Sequence, residues 1–405
     1  MENKVLLKAL FFVSKSLLIF TLAAFVHAAL AQSLSAADPS CNGSLPAPRL
    51  QGARSINDSA RIMAGLEVDS DSDYWATSQT QAWRRYSAQL STSFERLKER
   101  QLRPLDAWAA RELGNDSAAM GPVFYPFSGP DLVYALNLFP SAQSFILTGL
   151  EPVGEVPNLD AIDVPALDRR LRSIANTLYA LLEFSFFRTN DMTANLKGEQ
   201  IAGVLPVLML FLERMDYEIL SIARFRLDTQ GQWCALDEAR LKPNDVAGVR
   251  VHFLRRGEQQ VRQLLYLRAD IGDSGLQRTP QYARLIDAMA PHAVLLKAAS
   301  YLQHKSYFSA IAAMAMAHAK LLLQDDSGIP HRKFSPDAWD ATAYGRYAGP
   351  IPLFANWRQA DLAALFARQK PTALSFSFGY QHRDSGIVVY RKRPGAKPEA
   401  ATPSP

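Results

Sequence analysis

Apolar positions along the chain follow two periods, and these alternate in a regular order. Val123-Phe124-Tyr125-Pro126-Phe127 is a continuous apolar run, the pattern of a strand covered on both faces. Ser128-Gly129-Pro130-Asp131 breaks it, since glycine permits a positive-φ turn and proline suits the first turn of a helix. Leu132, Val133, Leu136 and Phe139 then recur at helical spacing until Pro140. Ser144 to Leu150 is the next strand and ends at Glu151. Strand, loop, helix and strand make a βαβ unit.

Upstream, residues 32–73 are rich in Ser, Ala, Pro, Gly and Asp and read as a flexible leader. Residues 74–119 form a helical lead-in, with Trp83, Tyr86, Leu90, Phe94 and Leu97 on one stripe and a continuation over Leu105–Leu113. Downstream, the periods predict helices over Val164–Phe187 and Gly203–Met215, then strands over Ile219–Asp228, Val246–Leu254 and Val261–Ala269. The last third alternates: helix Tyr282–Ala290, strand Ala293–Ser300, helix Tyr307–Ala319, strand Lys320–Asp325 and a helix around Leu362–Phe366. Ala373–Tyr380 and Gly386–Lys392 read as a closing hairpin, and residues 394–405 as a disordered tail. The predicted fold class is α/β: a Rossmann-like, mostly parallel sheet over 120–393 with a C-terminal antiparallel hairpin and an insertion at about 160–255.

Open sheets of this kind bind ligands outside the C-terminal ends of their strands. Ser128, Asp131, Glu151, Asp270, Tyr301, Asp325 and Asp326 all fall there. Ser128, Gly129, Asp131, Glu151 and Asp270 are the ligand-binding candidates, because a loop entering a helix offers free N–H groups and a strand-end acid binds hydroxyls. Glu151 follows Gly129 by 22 positions, close to the spacing of a ribose-binding acid. Tyr301, His304, Asp325 and Asp326 are the catalytic candidates: two adjacent carboxylates serve as a base or hold a cation, and equally cap a turn. The Asp-Ser-Gly at Asp273 recurs at Asp326 and Asp384, so turn chemistry accounts for it better than a protease motif. Neither H-E-x-x-H nor G-x-S-x-G occurs, and no metal site is expected.

The strand order 123–128, 144–150, 261–269, 293–300 and 320–325, closed by a hairpin, resembles the class I S-adenosylmethionine-dependent methyltransferase fold in a degenerate form. The resemblance implies that Phe127-Ser128-Gly129-Pro130 is the cofactor loop, with one glycine where the family has several. It implies Glu151 as the ribose acid, Asp270 as the acid near adenine, and Lys297, Ser300 and Tyr301 at the catalytic strand end. S-adenosylmethionine is the cofactor it implies.

Residues 1–31 read as a secretory signal, with Lys4, Lys8 and Lys15, an apolar run from Leu17 and a small-x-small site at Ala29-Leu30-Ala31. An uncleaved membrane anchor is the alternative. A periplasmic or secreted protein meets no S-adenosylmethionine, which sets the compartment against the cofactor. Cleavage removes three lysines and one glutamate and takes the net charge from +5 to +3. That mild charge, without a basic stripe, argues against nucleic acid as an obligatory partner. Cys41 and Cys234 are free to pair in such a compartment. Two readings follow: an exported methyltransferase-like domain that binds a small polar ligand, or a non-catalytic envelope scaffold. An active S-adenosylmethionine-dependent methyltransferase is the third.

Overall fold

The computed structural model describes residues 41, 53–157, 159, 203–381 and 384–396. Ten strands, among the described residues, form one mixed sheet. They are β1 (Val123–Tyr125), β2 (Ser144–Gly149), β3 (Tyr217–Leu227), β4 (Trp233–Ala235), β5 (Val246–Arg255), β6 (Arg262–Arg268), β7 (Ala293–Leu296), β8 (Leu321–Gln324), β9 (Trp339–Gly345) and β10 (Gly386–Lys392). Their spatial order is β4-β3-β5-β6-β2-β1-β7-β8-β10-β9. The central five, β6-β2-β1-β7-β8, pair in parallel. Both ends are antiparallel: β10 runs against β8 and β9, and β5 against β6 and β3. The expectation of a mostly parallel sheet therefore holds for its middle only.

Period-2 alternation divides the core between the two faces. Tyr125, Phe145, Leu147, Tyr266, Leu295 and Leu323 point to one face, and Phe124, Ile146, Leu265, Leu267, Val294 and Leu322 to the other. The first face is covered by α1 (Ala53–Met63), α2 (Gln81–Leu97), α3 (Arg103–Glu112), α4 (Leu132–Leu138) and α5 (Leu205–Arg214). The second is covered by α6 (Asp273–Arg278), α7 (Pro280–Met289), α8 (Ser309–His318) and α9 (Ala360–Gln369). With both faces covered, central strands such as Phe145-Ile146-Leu147 are apolar throughout.

Trp83, Tyr86, Leu90, Phe94 and Leu97 are the buried stripe of α2, as their spacing predicts. Trp83 Nε1 donates to Ile62 O at 3.0 Å and the Tyr86 hydroxyl to Met63 O. These side chains satisfy carbonyls at the end of α1 that a helix leaves open. Between α2 and α3 the helix widens into a π segment, Lys98–Leu102, which admits Pro104 despite its missing N–H.

Three expectations are corrected. The leader at 32–73 contains α1, whose end buries Ala60, Ile62 and Met63 completely. Most of its other positions are polar, and one of them is structural: Asn57 Nδ2 donates to Ile219 O, and Asn57 Oδ1 accepts from Ile219 N, both at 2.8 Å. β4 pairs only with Phe225–Leu227, so the edge of β3 at Ile219 has no strand beside it and a side-chain amide takes that place. Second, the partner of β10 is β9, not Ala373–Tyr380. The 373–380 segment makes one isolated bridge, Phe378 to Gln381, while Phe376 and Phe378 serve the core. The outer edge of β9 is closed by Gln369, which donates to Ala341 O and accepts from Ala343 N. Third, β1 and β7 end at Tyr125 and Leu296, earlier than expected, because left-handed residues follow each. The predicted helix at 164–187 and the signal at 1–31 lie outside the described residues.

Asn57→Ala would leave the buried N–H and C=O of Ile219 without this partner. We expect a loss of about 2–6 kcal/mol in urea unfolding, two buried groups at about 1–3 kcal/mol each, and the same sign for Asn57→Asp, which cannot donate.

Candidate functional site

Seven non-glycine residues among those described have positive φ. Asp216, Ala290 and Lys370 end helices or begin turns. The other four lie at the C-terminal ends of β1 and β7: Phe127 (62°), Ala298 (51°), Ser300 (54°) and Tyr301 (53°). Left-handed non-glycine residues persist only where their surroundings over-determine them, and they concentrate at ligand clamps and active sites.

The Ala298–Tyr301 loop is held mainly by the β8 end. Asp325 Oδ2 accepts from Ala298 N at 2.9 Å. Ser327 Oγ accepts from Ala299 N at 2.7 Å and donates to Asp325 Oδ1 at 2.5 Å. Tyr301 OH donates to Asp326 Oδ2 at 2.7 Å. From the 373–380 segment, Tyr380 OH donates to Ala298 O at 2.8 Å and so accepts from Ser300 Oγ at 2.7 Å. Gly379 (φ 70°) lies so close that a Cβ there would meet Asp325 Oδ2 at 1.8 Å. A glycine is required at that position on both counts.

Next to this loop, Lys297 is fully buried and its Nζ lies 2.6 Å from Asp131 Oδ2 and 3.8 Å from the centre of the Tyr134 ring. Tyr125 OH donates to the same carboxylate oxygen at 2.9 Å. Burial, then the Asp131 charge, raises the Tyr125 hydroxyl well above its ordinary range, so it stays a donor. Burial also raises Asp325, against the hydrogen bonds it accepts. For Asp326, burial and then the neighbouring Asp325 charge push the carboxyl up to about 7. Burial and then Arg332 push His304 down to about 4, which leaves it neutral. A carboxyl that titrates near neutrality is suited to give or take a proton at physiological pH.

Asp326 also meets the outside. It lines a cleft of about 10 Å³ with Arg346, Tyr347, Gly349, Gln381 and Asp384, room for about one water. Arg346 and Asp384 form an exposed pair, 3.6 Å apart, among these lining residues. The aromatic rings of Tyr301, Phe354 and Tyr380 pack together beside it at 5.0–6.5 Å.

The predicted residues divide into two groups. Tyr301, Asp325 and Asp326 converge with Lys297, Ser300 and Asp131 at neighbouring strand ends. Tyr125, Ser327 and Tyr380 join them; the sequence places all three in or beside predicted strands, and nothing local marks their side chains as part of the cluster. His304 packs its ring 5.2 Å from Tyr301. Asp270 does not join, since it is exposed and paired with Arg278 at 3.0 Å. Ser128 turns inward, its Oγ accepting from Thr148 N at 3.0 Å and thereby fastening the loop to β2.

The β1–β2 end does not fit S-adenosylmethionine. Ser128, Asp131 and Glu151 are at most 5% exposed. The Glu151 carboxylate is folded against Gly129 and Gly149, where Cβ atoms would meet its oxygens at 3.3 and 2.2 Å, and Tyr266 OH donates to the Glu151 backbone at 2.9 Å. A ribose-binding acid has to present its oxygens to the ligand, and the Asp131–Lys297 pair fills the adjoining space. No family model, curated protein or solved structure matches this chain.

A carboxyl raised in the folded state stabilises below its unfolded value, 3.8, and loses that contribution as pH rises through about 7. We expect the melting temperature of the protein to fall over this window and that of Asp326→Asn to fall less. Parallel curves would exclude Asp326 as the titrating group.

Proposed function

We propose that this is an exported protein whose α/β domain has a methyltransferase-like strand plan and binds a small polar ligand at the ends of β7 and β8. Asp326 is the group that meets the ligand and exchanges a proton with it. The carrying observation is the strained Ala298–Tyr301 loop, clamped by Asp325, Ser327 and Tyr301–Asp326, beside a carboxyl raised to about 7 that reaches a cleft.

The strand plan is supported by the order β6-β2-β1-β7-β8-β10-β9. Counted in chain order within this part, it is third, second, first, fourth, fifth, seventh, sixth. The doubly wound dinucleotide fold runs 3-2-1-4-5-6, and the antiparallel seventh strand is the hairpin feature of the methyltransferase resemblance. Export is supported by the signal pattern of residues 1–31 and by the cysteines, none of which is free among the described residues, as oxidising compartments allow. No described helix is long and apolar enough to cross a membrane.

A second reading, the non-catalytic envelope scaffold, is favoured by the filled β1–β2 end. A thermal-shift screen of the exported protein against sugars, nucleosides, amides, divalent cations and S-adenosylhomocysteine separates the two. A ligand at about 100 times its Kd adds about 2.7 kcal/mol, a readable shift. We expect at least one neutral polar compound to shift the wild type but not Asp326→Ala, and S-adenosylhomocysteine to shift neither. If no compound acts, the scaffold reading stands in its place. Fractionation with N-terminal sequencing tests export, with Gln32 the expected first residue.

A further inference from the structure

Gln303 is completely buried, and neither its Oε1 nor its Nε2 has a hydrogen-bond partner. Native proteins pair such amides, and each orphan atom costs about as much as a lost hydrogen bond. The residues around it belong to the site above. Tyr301 and His304 flank it on a single 3-10 turn, and His304 Nε2 is likewise buried without a partner.

Both flanking rings are covered by one segment. Pro350–Trp357 runs from Gly349, which has φ 90°, to Arg358. Its Phe354 ring lies 5.0 Å from Tyr301, and its Trp357 ring 5.5 Å from His304. Leu353, between them, is 79% exposed. The segment is tethered at its base, where Gln381 Nε2 donates to Gly349 O at 2.7 Å. It therefore sits as a cover over Tyr301 and His304, the two rings on either side of Gln303 in the chain, and starts at the Asp326 cleft, which Gly349 lines.

We propose that Gln303 and His304 form a subsite, under the Pro350–Trp357 cover, for a small neutral molecule carrying a carboxamide or lactam edge. This rests on the strand-end ligand site and names the chemistry of its ligand. An amide side chain offers a donor and an acceptor side by side, and a second amide edge presents the complementary pair. A ligand charge would lose its hydration here with no buried counter-charge on the turn, since Tyr301, Gln303 and neutral His304 offer none. A planar amide also suits a site walled by Tyr301 and His304. The cover admits it by moving about Gly349, as lids do.

The test titrates acetamide, 2-pyrrolidone, nicotinamide and uracil into the exported protein by calorimetry and saturation-transfer NMR, with acetate and nicotinate as charged counterparts. The expected result is that at least one amide binds, and about tenfold or more tighter than its acid. Gln303→Met should weaken that binding by about tenfold or more while raising the ligand-free melting temperature, because it removes the orphan amide. Gln303→Leu serves the comparison if the methionine variant does not fold. The subsite is overturned if no amide binds, if the acids bind as well, or if Q303M binds unchanged. Binding lost in Asp326→Asn but kept in Q303M would sink the subsite alone. Binding kept in both would sink the strand-end site with it.

Discussion

The buried carboxylate of Asp325 is the constraint on which the β7–β8 end depends. It accepts from Ala298 N and from the amide and hydroxyl of Ser327, and Ser327 in turn accepts from Ala299 N. Two consecutive backbone donors, Ala298 N and Ala299 N, thereby fasten the end of one strand to the end of the next. Three left-handed residues within the next four positions, at about 1–3 kcal/mol each, are tolerable only because this clamp leaves the loop no alternative. Gly379 closes the clamp from above, since any larger residue would displace the carboxylate. The strain thus sits where the adjacent Asp326 and Tyr301 need fixed positions, and not at a turn that any residue could relax.

The same carboxylate sets the electrostatics of its neighbours. Two acids on adjacent residues cannot both ionise cheaply in a buried place, so the less enclosed one, Asp326, keeps its proton towards neutrality. Across β7, Asp131 solves the same problem in another way, by pairing with Lys297. One end of the row is neutralised by an ion pair and the other by a proton. Only the proton can be exchanged without breaking a buried contact, because removing one partner of a buried pair strands the other charge.

Most of the elements were legible in the sequence because the central strands carry unbroken apolar runs and α2 carries a clean stripe. What failed had weak local signals. β9 is Trp339-Asp340-Ala341-Thr342-Ala343-Tyr344-Gly345, an edge strand with no apolar run, and its outer edge is satisfied by a glutamine side chain. The more aromatic 373–380 segment looked like the better strand, yet it spends Phe376 and Phe378 on the core and Tyr380 on the loop after β7. α1 is mostly polar, and its key residue Asn57 acts on Ile219, 162 positions away. At the site, strand-end logic selected Asp131, Tyr301, Asp325 and Asp326, which lie at neighbouring strand ends. It had no means to see that Lys297, 166 positions from Asp131, would reach that carboxylate.

That contact decides which strand end is filled by the protein's own side chains. In a doubly wound sheet the crevice beside the first strand is the default ligand position, and here Ser128, Asp131, Glu151 and Lys297 fill it with their own hydrogen bonds. A buried ion pair is rarely the cheapest filling, since well-packed apolar side chains often stabilise as much or more. Its presence is better explained by orientation: Lys297 is the residue before the strained loop, so anchoring its ammonium to Asp131 fixes the start of that loop as Asp325 and Ser327 fix its middle. The closed first crevice then becomes the foundation of the second. The filled β1–β2 end and the fixed Ala298–Tyr301 loop are one construction, and the carboxyl that reaches a cleft lies beside them at the end of β8, at Asp326.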